Sequence, residues 1–229
     1  MKKLVILTGA GMSAESGIST FRDSDGLWNN YRVEDVATPE GFAANPQLVL
    51  DFYNYRRREL IKSEPNEGHK GLAALEEFFD VHIITQNVDN LHERAGSSHI
   101  IHLHGEMMKS CSVKNTSKSF PISPENPDIN IGDKAPDGNQ LRPYIVWFGE
   151  AVPKIEEAIG YVESSDIFVV IGTSLNVYPA AGLLNYVRNG QPIFLIDPKE
   201  VNTYRKDIEF IRTGASEGVK ILTERLLPS

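Results

Sequence analysis

Gly9-Ala-Gly-Met-Ser-Ala-Glu-Ser-Gly-Ile-Ser-Thr-Phe-Arg22 follows the apolar run Leu4-Val-Ile-Leu7 with only Thr8 between them. This order predicts a buried strand that ends in a glycine-rich turn and opens a helix. Gly9, Gly11 and Ala14 fall on a G-x-G-x-x-A spacing. The first glycine of such a motif permits the tight turn, the second lets backbone approach a pyrophosphate, and the small third residue lets helix pack on strand. A helix start adds free N–H groups and a partial positive charge. Glycines also gather in ordinary strand-to-helix turns, so the weight of the motif depends on the rest of the chain.

Working outward, the chain has 229 residues, of which 41% are apolar, and a formal charge of -8. It is long enough to bury one substantial core, or a core and a small appended module. The acidic balance, with a pI near 5.3, argues against direct nucleic-acid binding, which needs a basic face to displace counterions from phosphates. No apolar run approaches the roughly 20 residues that span a bilayer, and Met1-Lys-Lys leads straight into a strand. A cytoplasmic monomer without membrane contact is expected. Cys111 is the single cysteine, so neither a disulfide framework nor a four-cysteine metal site can form within the chain.

Five further runs, Val81–Thr85, Ile100–Leu103, Tyr144–Phe148, Ile167–Ile171 and Pro192–Ile196, are short, apolar on both faces and rich in β-branched or aromatic residues. They suit a parallel sheet covered by helices, and Gly68–Phe79, Lys154–Glu163 and Ala180–Val187 carry the covering helical periodicity. The expected fold is α/β: a Rossmann-like doubly wound parallel sheet with a small inserted module. The large part is expected from about 1–28, 66–106 and 143–229. The module takes about 29–65, which looks helical, and 107–142, which is rich in Ser, Pro, Asn, Asp and Gly and lacks strand character.

Polar clusters follow several strands: Thr85-Gln-Asn-Val-Asp89 and Asn90-Leu-His-Glu-Arg-Ala-Gly96, then His104-Gly-Glu106, Gly149-Glu150 and Gly172-Thr-Ser174. Ligands of open α/β sheets bind beyond the carboxyl ends of strands, so these clusters are expected to converge.

Five signatures in register, Gly9 to Arg22, Thr85 to Gly96, Leu103-His-Gly-Glu106, Val146-Trp-Phe-Gly-Glu150 and Gly172-Thr-Ser-Leu-Asn-Val-Tyr-Pro179, resemble the sirtuin family of NAD-dependent protein lysine deacylases. The resemblance implies a reaction in which the acyl oxygen of a modified lysine attacks the nicotinamide ribose of NAD. Nicotinamide, O-acyl-ADP-ribose and free lysine result. His104 matches the catalytic histidine, and an imidazole is suited to taking a ribose hydroxyl proton near neutrality. Asn87 is the second catalytic candidate. Gln86, Asn87 and Asp89 match positions that bind the ribose and the nicotinamide carboxamide. The first signature implies cofactor contacts from Gly9, Ala10, Gly11, Ser13, Ala14, Glu15, Phe21 and Arg22. Gly172, Thr173, Ser174, Asn176, Asp197 and Ala215 complete the implied set. Asp197 is placed there for adenosine ribose, although many relatives have asparagine in this neighbourhood. His102 has no implied chemistry and reads as structural.

Val146, Phe148, Gly149 and Glu150 match the segment that pairs with the substrate backbone, its aromatic residue beside a tunnel for the lysine stem. Tyr53 and Arg56 stand three apart on a predicted helix and can offer a phenol and a guanidinium to one carboxylate. This Tyr-x-x-Arg pattern resembles sirtuins that remove succinyl and malonyl groups. Arg57 and Arg58 read as a solvated basic face. The chain departs from the family in lacking the two Cys-x-x-Cys pairs of the small module, so no structural zinc and no metal ligands are expected. Three other readings remain: an NAD-dependent protein ADP-ribosyltransferase, a metal-dependent hydrolase built on His102-Leu-His104, and a catalytically silent NAD sensor.

Overall fold

The computed structural model describes residues 1–18 and 31–227. Among the described residues nine strands run in chain order: β1 (Lys3–Thr8), β2 (Asp80–Thr85), β3 (Ile100–His102), β4 (Gly105–Ser112), β5 (Asn115–Pro121), β6 (Leu141–Ile145), β7 (Ile167–Ile171), β8 (Ile193–Ile196) and β9 (Ile208–Ile211). The α-helices are α1 (Val33–Val36), α2 (Pro39–Ala44), α3 (Pro46–Lys62), α4 (Glu67–Ala74), α5 (Leu91–Ala95), α6 (Ile155–Glu163) and α7 (Ala215–Leu226).

Six strands form one wholly parallel sheet in the order β3-β2-β1-β7-β8-β9. Its central strands are apolar on both faces because both are covered: Leu4–Leu7 and Phe168–Ile171 are fully buried. One face packs Leu4, Ile6 and Val169 against Leu72 of α4 and Val219 and Leu222 of α7. The other packs Val5, Leu7 and Phe168 against Ala158 and Val162 of α6 and Leu183 and Leu184 of the following 3-10 helix. Each such aliphatic or aromatic side chain contributes about 1.5–3 kcal/mol when buried. The chain leaves β1 toward β2 on one side, while β7 lies on the other, so the direction of winding reverses between β1 and β7.

A second, antiparallel sheet has the order β5-β4-β6. It packs on α3 through Phe52, Tyr53, Leu60, Met107, Ile145 and Trp147. Tyr144–Phe148 therefore does not supply a strand to the parallel sheet: β6 ends at Ile145 and belongs to the small sheet. Apolar periodicity in a short run gives extended conformation but not the partner strand. The interval 107–142 does contain strands. β5 is polar because it is exposed almost throughout and is held by main-chain pairing to β4 rather than by burial, whereas β4 is largely buried. β9 escaped the sequence reading because Glu209 interrupts its apolar run, as suits an edge strand. The segment after β1 winds as two short 3-10 turns, Ala10–Met12 and Ala14–Ser16, rather than a long helix, and Ala180–Tyr186 is also 3-10.

Arg57 is the largest departure in burial. It is fully buried rather than solvated, and donates from Nε to the Met107 carbonyl (2.7 Å) and from Nη1 to Asn54 Oδ1 (2.8 Å) and the Pro127 carbonyl (2.7 Å). Asn54 in turn grips Ile129 on both sides, donating to its carbonyl (2.9 Å) and accepting from its N–H (3.0 Å). Two side chains of α3 thus fasten the loop before β6 and the start of β4 to the helix. Arg58 forms an exposed ion pair with Asp128 at 2.7 Å. Cys111 lies buried in β4, its thiol pushed up to about 11 by burial. No helix among the described residues is long and apolar enough to cross a membrane.

Candidate active site

At the reversal between β1 and β7 the two following loops are fastened back to back. Gly9 N donates to Ile171 O (2.9 Å) and Gly11 N to Gly172 O (2.8 Å). A Cβ on Gly11 would stand 2.6 Å from Gly172 Cα, and one on Gly9 2.7 Å from Thr173 Cβ. The glycine spacing is thus demanded first by one main chain pressed on another. Gly172 itself has φ +62°. Three residues on, Leu175 has φ +56°, a left-handed conformation uncommon for a residue with a Cβ.

The loop after β2 closes over this junction. Asn87 Nδ2 donates to Gly9 O (3.0 Å) and Ser13 Oγ (3.1 Å), and Ser13 Oγ donates to Asp89 Oδ2 (2.9 Å). With its amide hydrogens so engaged, Asn87 has its carbonyl oxygen to offer. Asp89 also accepts from Leu91 N (3.1 Å), and burial raises its carboxyl pKa. Gln86 Nε2 reaches Thr173 Oγ1 at 3.1 Å, joining the loops after β2 and β7. His104, two residues past β3, places Nδ1 3.0 Å from the Gln86 carbonyl. A carbonyl only accepts, so Nδ1 carries the hydrogen and Nε2 carries the lone pair. Burial lowers the His104 pKa, which favours the neutral ring.

His102 supports the same loop from beneath. Its Nδ1 meets the main-chain carbonyl of Asn87 at 3.2 Å and its Nε2 meets Glu93 Oε1 at 2.6 Å. Burial opposes charge on this ring, but the hydrogen bond and charge of Glu93 outweigh it and the pKa is raised. A chain of buried polar groups missed in the sequence completes the support. His92 Nε2 lies 3.1 Å from Thr8 Oγ1, Thr8 Oγ1 donates to Thr85 Oγ1 (2.8 Å), and Thr85 Oγ1 accepts from Asn87 N (3.0 Å). The His92 ring stacks edge-on against His69 at 4.8 Å. The available signal was the pair Thr8 and Thr85, two polar residues ending apolar strands side by side.

The adenosine-end candidates sit at the tips of neighbouring elements. Glu15 accepts from Ser216 N (3.1 Å), capping the start of α7, and this contact with Ser216 lowers its pKa. Ala215 is buried as the first residue of α7, and Asp197, just past β8, accepts from Lys199 N at 2.8 Å. Thr173 is buried, Gly172 and Ser174 are half-buried, and Asn176 is exposed. Ala10 and Ala14 open the two 3-10 turns. Phe21 and Arg22 lie outside the described residues.

On the other side of the loop, α3 presents Tyr53 and Arg56. Tyr53 is buried, its hydroxyl accepting from Trp147 Nε1 at 3.0 Å, and burial raises its pKa, so the phenol stays protonated. Burial lowers the Arg56 pKa, while Tyr53 and Asp89 act on it from within electrostatic reach. Trp147 also carries the Arg142 guanidinium over its ring, 3.4 Å from the centroid. Glu150 accepts from Arg142 (2.7 and 3.0 Å) and from Trp147 N (2.7 Å), so its carboxylate shapes the segment. Val146 N donates to His104 O (2.9 Å), Phe148 is nearly half exposed, and Gly149 has φ +89°.

Two groups of three side chains among the described residues have metal-ligating atoms close together: Glu93, His102 and Glu106, and Asp80, His82 and His99. His104 is in neither, so the pairing of His102 with His104 as metal ligands finds no support in the geometry.

The model of the Sir2 family matches residues 9–179. An NAD-dependent protein deacylase of Bacteroides thetaiotaomicron is 62% identical over the whole of both chains. A Sir2 homologue mutant solved as an ADP ribose complex superposes with a TM-score of 0.89 at 40% identity, covering 100% of this chain and 94% of its own. A Sir2 homolog–NAD complex gives 0.86 at 41% identity, with 99% and 91% covered. The reversal point of the sheet, the loop fastened over it and this likeness along the full chain agree, and the protein belongs to the Sir2 family.

Proposed function

We propose that this protein is an NAD-dependent protein lysine deacylase that removes acetyl groups and also the acidic succinyl and malonyl groups. The single observation that carries the reading is His104 itself: its Nδ1 is held by the Gln86 carbonyl, and its Nε2 is the remaining basic atom of a ring kept neutral by burial. Such an imidazole is fitted to accept a hydroxyl proton near neutral pH.

The donor set at the sheet reversal fits a dinucleotide. The Ala10 main chain, between Gly9 and Gly11 whose N–H groups are engaged with Ile171 O and Gly172 O, the hydroxyls of Thr173 and Ser174, and the side-chain carbonyl oxygens of Gln86 and Asn87 suit phosphate, ribose and carboxamide. Gly9, Ala10, Gly11, Ser13, Ala14, Glu15, Phe21, Arg22, Gln86, Asn87, Asp89, Gly172, Thr173, Ser174, Asn176, Asp197 and Ala215 are the residues assigned to hold it. NAD, as co-substrate, would supply the activated ribose that receives the acyl group, giving nicotinamide, O-acyl-ADP-ribose and free lysine. Asn87 orients its carbonyl oxygen toward the reacting end, fixed by Gly9 and Ser13. Asp89 fixes Ser13, and His104 takes the proton.

Tyr53 and Arg56 are assigned to the acyl carboxylate, which a phenol and a guanidinium bind better than they bind a methyl group. Val146, Phe148 and Gly149 are assigned to the substrate main chain, with Glu150 acting through Arg142 and Trp147. The chain is read as one catalytic domain, acting in the cytoplasm as a monomer. The decisive experiment follows nicotinamide release and free lysine from acetyl-, succinyl- and malonyl-peptides with and without NAD. Deacylation without NAD overturns the reading, and label passing from NAD to a protein side chain without free lysine selects the ADP-ribosyltransferase instead.

A further inference from the structure

Asp80, His82 and His99 meet at the amino-terminal edge of the parallel sheet, the end opposite the site just described. Asp80 and His82 are two apart at the start of β2, so both side chains project to the same face. His99 immediately precedes β3, and Ile83 N donates to His99 O at 2.9 Å, which sets His99 beside His82 on the neighbouring strand. That face is the one carrying Ile84 and Ile101 under α6. His82 is buried, its ring 4.4 Å from Tyr161 of α6 and 4.9 Å from His99. Asp80 is half-buried and His99 exposed.

From this arrangement we infer that Asp80, His82 and His99 form a binding site for a borderline first-row divalent cation such as Zn²⁺. Ligating atoms of all three residues lie within 4.8 Å of one another. His82 Nε2 and Asp80 Oδ1 are 2.9 Å apart. Nitrogen and oxygen ligands each about 2.0–2.2 Å from a tetrahedral metal stand about 3.3 to 3.6 Å apart, so this hydrogen-bonded pair has to open by only about 0.4–0.7 Å to span two ligand positions. His99, on the exposed side, needs only a side-chain rotation to close the third position, and water completes the shell. Two imidazoles and one carboxylate suit zinc, nickel or copper rather than magnesium or calcium. Lys3, paired with Asp80 across β1 and β2, holds its ammonium on Ser164 Oγ (3.1 Å) and over the Tyr161 ring (5.5 Å) that packs on His82, and its effect on His82 is smaller than that of the Asp80 carboxylate.

The ion would staple β2 to β3, the short edge strand that leads into His104. It involves none of the cysteine positions of the family's small module. The sequence gives no sign of it, because His99 lies seventeen residues from His82 and only strand pairing joins them.

The test titrates tag-free, chelator-stripped protein with Co²⁺ followed by its visible absorption, and with Zn²⁺ by calorimetry and thermal melting. One equivalent is expected to bind and to raise Tm by about 5 °C at saturating metal. His99→Ala, at an exposed position that leaves the fold intact, is expected to weaken binding at least tenfold and to abolish the Tm shift, and Asp80→Asn to do the same. Binding that survives both substitutions, binding lost in Glu106→Gln, or no saturable binding to the wild type would each overturn the site.

Discussion

His104 Nδ1 stands 3.0 Å from the carbonyl oxygen of Gln86, and this one bond ties the chain leaving β3 to the loop leaving β2. It fixes the imidazole tautomer through main chain alone, so no substitution of the Gln86 side chain removes it.

His104→Gln is expected to fold normally and to lower NAD-dependent deacylation by about 10²–10⁴-fold, the usual contribution of a positioned base. Stopped assays of free lysine, beside a circular dichroism melt, check both halves.

The pH profile has a defined sign. Burial lowers the His104 pKa below 6.5, and the neutral ring is the active form, so activity holds through pH 7 and declines only once pH falls below the ordinary histidine value. The acid limb of kcat/KM is expected beneath pH 6.5; a midpoint at or above 7 would contradict a neutral buried base.

Arg56→Met and Tyr53→Phe should separate acyl groups. Loss of one charge-assisted hydrogen bond, worth about 1.5–3 kcal/mol, is expected to cut kcat/KM for succinyl-peptide by about 10–100-fold while acetyl-peptide changes by less than about threefold. Equal losses on both substrates would remove the assignment, and the melting temperature of each variant separates it from damage to α3.

Arg57→Met is expected to destabilise the protein by about 3–5 kcal/mol in urea unfolding, since it leaves the Met107 and Pro127 carbonyls without their side-chain donor and Asn54 Oδ1 with the Ile129 N–H alone, in a buried region. Arg58→Met removes only an exposed ion pair and should cost less than about 1 kcal/mol. A small effect of Arg57→Met would mean that the small sheet is held elsewhere.

His69 adds a pH dependence of stability. Burial pushes its pKa down to about 4, below the 6.5 of the unfolded chain, so between these values the unfolded state binds more protons. Stability is full above pH 6.5 and falls as pH drops toward 4, by on the order of 3 kcal/mol for this group alone. Urea midpoints from pH 7.5 to 4.5 measure the slope, which His69→Gln should flatten.

The parallel sheet was legible in the sequence because each central strand is buried on both faces, which calls for short, wholly apolar, β-branched runs such as Ile167–Ile171. The polar residues at strand ends were legible for a related reason, since the sheet brings all carboxyl ends to one side. Partnership was not legible. The apolar run at Tyr144–Phe148 gives no sign of which sheet it joins, and β5 is held by main-chain bonds that leave no pattern in its polar side chains. Arg57 shows the same limit: its sequence neighbourhood is a row of arginines, and only the packing of α3 on β4 decides that one of them is buried among carbonyls. What the sequence alone determined is therefore what periodicity and local chemistry carry: the central strands, the glycine turn and the types of residue at the site. Tertiary structure alone decided which glycine meets which backbone, which nitrogen of His104 is basic, and which histidines meet across strands, because each depends on atoms far apart in the chain.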